Sequence, residues 1–135
     1  MDWTNYLADV TRRFGDGWHV YSDANPSRVW TGERTIEFGR RGSTTTPYIS
    51  GDASTTTELT LFTRCDNESD AEAAAWRVYQ DVVRVALDAL VKTEKIRGYT
   101  IERVGTFADE RGAAIIGESF SGFVDFTIYE EVFNG

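Results

Sequence analysis

Chemistry-bearing residues are scarce in these 135 residues: one cysteine, Cys65, one histidine, His19, one methionine and two prolines. A single cysteine forms no internal disulfide, so the fold needs no oxidising compartment. A single histidine makes a Cys/His or Ser/His nucleophile pair hard to assemble, and no carboxylate or cysteine cluster has metal-ligand spacing. No stretch approaches the roughly 18 consecutive apolar residues of a membrane span, and the first residues, Met1-Asp2-Trp3-Thr4, carry no basic or apolar leader. Neither membrane insertion nor secretion is expected. Cations are also short, with 14 Lys and Arg against 22 Asp and Glu, a formal charge of −8. That balance disfavours tight binding of nucleic acid, which depends on neutralised phosphates, but suits a wall past which DNA slides without sticking.

What is present describes an ordinary folded chain. Hydrophobic residues make up 41 % and charged residues 27 %, enough for a core at a length typical of one domain, so residues 1–135 are expected to form a single α+β domain. Trp3, Tyr6, Leu7, Val10 and Phe14 lie on one helical stripe, predicting a helix over about Asp2 to Phe14, ended by Gly15-Asp16-Gly17. A strand at Trp18 to Tyr21 follows, then a turn around Asn25-Pro26-Ser27. Alternation predicts strands at Arg34 to Phe38 and at Glu58 to Cys65. The Ser/Thr/Gly-rich run between them, residues 39–57, is far longer than a usual hairpin turn and predicts a mobile, partner-binding loop. Arg40, Arg41, Tyr48 and Ile49 are its candidate contact residues, being of the types that interfaces favour.

A second helix is predicted from Asn67 or Ser69 to about Thr93, opened by the capping-box pattern Ser69-Asp70-Ala71-Glu72. Arg77, Gln80, Asp81, Arg84, Asp88 and Lys92 form its solvated arc. Trp76, Tyr79, Val83, Leu87 and Leu90 make one apolar stripe, and Val78, Val82, Val85 and Ala89 make a second. One stripe suffices to dock on a sheet. The second predicts either cover by the first helix or a subunit interface. Strands near Tyr99 to Phe107 and Phe120 to Tyr129 close the chain, with Gly112-Ala113-Ala114 in their connection. The expected fold is therefore α+β, a mainly antiparallel sheet with an N-terminal helix and one long helix packed on one face.

Other motifs fail on inspection. Gly117 to Gly122 resembles a nucleophile elbow but lacks the required spacing and following helix. Asp66, Glu68 and Asp70 lack the glycine of a calcium loop, and Gly15-x-Gly17 lacks the rest of a dinucleotide fingerprint. No catalytic residue, cofactor or metal is expected.

The short first helix, the strand-turn Gly17-Trp18-His19-Val20-Tyr21-Ser22-Asp23 with Asn25-Pro26 behind it, the long hairpin, the long Ala/Val-rich helix and the closing antiparallel pair resemble the tail terminator proteins of long-tailed bacteriophages. Related neck and tail-completion proteins share this texture. The resemblance implies a structural virion protein of the tail or neck, assembled in the host cytoplasm. It would form a homo-oligomeric ring, hexameric in that family, that caps the tail tube, contacts tail tube and head connector proteins, and lets DNA pass through its centre without specific binding. The alternative is a small nuclear-transport-factor-like ligand-binding or enzyme domain, with Trp18, Trp30, Phe38 and Phe126 lining a pocket.

Overall fold

A computed structural model describes residues 2–14, 17–24, 32–65, 68–108 and 120–132. Helix α1 (Trp3–Thr11) starts at Asp2, whose side chain accepts the backbone N–H of Asn5 at 3.3 Å and so satisfies one of the free donors of the first turn. It is shorter than the predicted helix. From Arg12 to Phe14 the chain is a turn, and Phe14 is exposed while Trp3 and Leu7 are buried. Strands β1 (His19–Tyr21), β2 (Thr35–Pro47) and β3 (Ala53–Cys65) follow. The long helix is built from α2 (Glu68–Val78), a π turn (Tyr79–Val83) and α3 (Arg84–Lys92), and β4 (Gly98–Ala108) and β5 (Phe120–Val132) complete the fold.

The five strands lie in the order β1-β2-β3-β5-β4, parallel between β1 and β2 and antiparallel at every other pair. This is the expected α+β architecture. Ile36, Phe38, Leu59, Leu61, Val124, Phe126 and Ile128 point from the sheet into one core with Trp3 and Leu7 of α1 and with Val78, Tyr79, Val83 and Leu87 of the long helix. The predicted turn at Asn25-Pro26-Ser27, the helix start at Asn67, and Gly112-Ala113-Ala114 lie outside the described residues.

Two expectations are corrected. Residues 39–57 are not a loose loop: β2 and β3 pair through them in unbroken sequence from Gly42 with Glu58 to Pro47 with Ala53. Threonine explains the error. Its polarity reads as loop, yet its branched Cβ favours the extended chain, and Thr44 with Thr56 and Thr45 with Thr55 form cross-strand pairs of the kind that stabilise sheets. The turn itself is short. Tyr48 N–H donates to Asp52 O at 2.8 Å, Gly51 N–H donates to Tyr48 O at 3.1 Å, and Gly51 takes φ 89°, the left-handed residue that closes a three-residue hairpin loop.

The second correction concerns the apolar stripe of the long helix. Val78 and Val82 are 1 % and 7 % exposed and belong to the chain's own core, so neither is available to a neighbouring subunit. Val85 and Ala89 are exposed, Val85 at 54 %. The π turn is the cause. It inserts one residue relative to α-helical phase, so the inward face passes from Val78 and Val82 to Val83, Leu87 and Leu90, and the stripe that a plain helix would keep together is split. Trp76, predicted inward, is also 42 % exposed and stacks on Tyr79 with ring centroids 6.1 Å apart.

Candidate functional site

The far end of the β2–β3 hairpin is the most distinctive surface. β4 accompanies β5 only as far as Gly98 opposite Tyr129, whereas β3 and β5 pair on to Ala53 with Val132. Beyond that point the sheet narrows to β2, β3 and β5, and residues 43–47 of β2 are exposed. At the tip Tyr48 is 46 % exposed and Ile49 fully so. A rigid, hydrogen-bonded ribbon thus carries two apolar side chains into solvent, where nothing among the described residues uses them.

Arg40 and Arg41 sit at the ribbon's base, not on a loop. The register of β2 shifts between Arg40 and Gly42, which makes Arg41 the extra residue of a bulge; a matching shift between Ile101 and Arg103 does the same for Glu102 of β4. Bulges re-aim side chains, and here both are aimed onto the sheet face opposite the helices, where Arg41 Nη2 meets Glu102 at 3.2 Å. Asp125 of β5, almost wholly buried, anchors the cluster. It accepts the Thr60 hydroxyl at 2.6 Å and pairs with Arg41 at 3.6 Å and Arg103 at 3.2 Å. Thr127 donates to Glu102 as well. Arg41 is therefore committed to partners within its own chain. Arg40 makes no ion pair among the described residues.

Two depressions flank this region. One, of about 310 Å³, lies on the ion-paired face between Arg40, Arg41, Phe62, Arg103, Phe123 and Asp125. The other, of about 800 Å³, is an open bowl on the helix side bounded by Asp2, Trp3, Asp23, Phe38, Arg40 and Glu130. Gly39 lies between them because a Cβ there would come within 2.7 Å of the Ala24 Cβ, so only glycine lets the chain after β1 cross the strand. The bowl's carboxylates are engaged. Trp3 Nε1 donates to Glu130 at 2.7 Å, and the Thr4 hydroxyl and Asn5 N–H hold the Asp2 carboxyl below its ordinary range.

The residues weighed for catalysis serve elsewhere. His19 is exposed and its Nε2 lies 2.7 Å from Glu33, and Cys65 is buried against Ala71 and Ala74 beneath α2. No group of three His, Cys, Asp or Glu among the described residues has metal-binding geometry. Of the pocket aromatics considered, Phe126 packs against Tyr79 with ring centroids 5.6 Å apart, Phe38 is fully buried and only borders the bowl, and Trp30 lies outside the described residues. No helix of the described residues is long and apolar enough to cross a membrane. Sequence reasoning missed the Asp125 cluster, because a lone acid in an alternating strand reads as solvent-facing; the arginine pair at 40 and 41 was its one visible trace. Compared with protein-family models and with curated proteins, the chain matches none.

Proposed function

We propose that this chain is a structural ring subunit of the tail-terminator type, which caps a phage tail tube and joins it to the head connector while DNA passes through the centre. One observation carries the reading: a stiff three-stranded extension of the sheet, β2, β3 and β5, holds Tyr48 and Ile49 in solvent at its tip. Exposed aromatic and aliphatic anchors on a preorganised element are what a subunit contact uses, since little entropy is lost when they dock. The order of elements, helix, three strands, long helix, two strands, also accords with the resemblance. The charge of −8 suits a conduit that DNA traverses without adhering.

In this reading the arm's contact residues are Tyr48 and Ile49. Arg41 braces the arm's base through Asp125 and Glu102, and Val85 with Ala89 remains as the helical part of the interface. Replacing Tyr48 and Ile49 together by serine tests it. The melting temperature is expected to stay within about 2 °C, since both side chains are exposed and such surface changes rarely exceed about 0.5 kcal/mol. Self-association and tail joining are expected to be lost. Full assembly by the double variant would refute the arm.

A further inference from the structure

Among the described residues, both outer edges of the sheet are open. β1 covers β2 for only three pairs, from His19 with Thr35 to Tyr21 with Glu37, and among the described residues no strand lies beside the remainder of β2. At the opposite side β4 pairs, among the described residues, with β5 alone, and Ile101 and Val104 are 40 % and 37 % exposed. Open edges invite strand addition, and proteins blunt them with charges, prolines or bulges. Here the charged bulge residues are confined to 40–41 of β2 and 102–103 of β4. Gly42-Ser43-Thr44-Thr45-Thr46 carries no charge, and its proline, Pro47, comes only at the end.

We propose that the β4 edge of a second copy of this chain adds to the 42–47 edge of β2, so that the sheet runs on across the subunit boundary. Strand sense favours this occupant. Every pair from β2 to β4 is antiparallel, so β2 and β4 run in opposite directions. A second copy set beside the first in the same orientation therefore brings its β4 antiparallel to β2, the pairing type of the rest of the sheet. Coverage favours it too. One contact between unlike edges covers both, whereas a two-fold contact of β2 with β2 leaves Ile101 and Val104 bare. Contacts between unlike patches close into rings when the rotation allows. The inference rests on the ring reading above and specifies which backbone edges make the contact.

Cysteine cross-linking tests it on the full chain. Ser43 or Thr45 is changed to cysteine together with Ile101 or Val104, giving four double variants that sample neighbouring registers; Cys65, fully buried, stays in place. Under mild oxidation at least one double variant is expected to join into a ladder of covalent multimers, while the corresponding single variants remain uncross-linked. Dimers from the Ser43→Cys or Thr45→Cys single variant would overturn the proposal in favour of the two-fold contact. A native oligomer in which none of the four double variants cross-links would overturn it and leave the ring reading standing. A chain that stays monomeric throughout would overturn both.

Discussion

Asp125 on β5 joins polar side chains from β2, β3 and β4. Its carboxylate holds Thr60, Arg41 and Arg103 on one sheet face, and through Arg41 it ties the base of the hairpin to Glu102 at the opposite edge. The two arginines are not equivalent. Arg103 is 70 % exposed, and exposed ion pairs contribute little, so Arg103→Ala is expected to cost under about 1 kcal/mol. Asp125→Asn removes the buried carboxylate that holds Thr60, Arg41 and Arg103 together, leaving Arg41 only Glu102, and is expected to cost about 2 kcal/mol, read as a lower denaturation midpoint. Equal losses from the two substitutions would mean that Asp125 is not the anchor. A second residue-scale effect appears at high pH. Burial pushes the Tyr99 phenol up to about 12, with Asp88 accepting its hydroxyl proton and adding charge repulsion; burial raises Tyr79 as well. The folded chain then keeps protons that the unfolded chain releases near pH 10. The stability that these tyrosines contribute is therefore fully present below pH 10 and is lost as pH rises from there through 12. Tyr99→Phe is expected to flatten that fall in a series of melting curves, and an unchanged slope would contradict it.

At the scale of elements, the π turn decides which valines matter. Val82→Asp puts a charge into the core beside α1 and is expected to unfold the chain, at a cost on the order of 3–5 kcal/mol. Val85→Asp, three residues on, is expected to leave the melting temperature nearly unchanged because that side chain is in solvent. Comparable destabilisation by both would mean that the helix keeps its plain α-helical phase. The π turn and the ribbon beyond Arg41 mark the limit of what the sequence reveals. Period-2 and period-3.6 patterns locate α1, the strands and the long helix because each has an apolar face that a core must cover. The inserted residue in Tyr79–Val83 is invisible to such patterns, since both apolar stripes are real and only packing chooses between them. The ribbon beyond Arg41 is invisible for the opposite reason. It buries little, so it leaves no apolar signature, and its order comes from backbone pairing and threonine ladders. Tyr48 and Ile49 stood out because they interrupt a polar run, whereas Asp125 needed its neighbours on β2, β3 and β4 to be recognised.

At the scale of the whole molecule, the described residues carry an apolar hairpin tip, two open sheet edges and an exposed patch of the long helix, all outside the hydrophobic core. A monomer gains nothing from such surfaces. The ring proposed above would use each of them, with unlike patches in contact. The most direct measurement is the native mass of the purified chain over a range of micromolar concentrations. The account predicts one closed multiple of the 135-residue subunit, near six by the resemblance to tail terminators, that falls apart when Tyr48 and Ile49 are replaced by serine. A monomer at every concentration, or an open-ended series of sizes without a preferred closure, would contradict it.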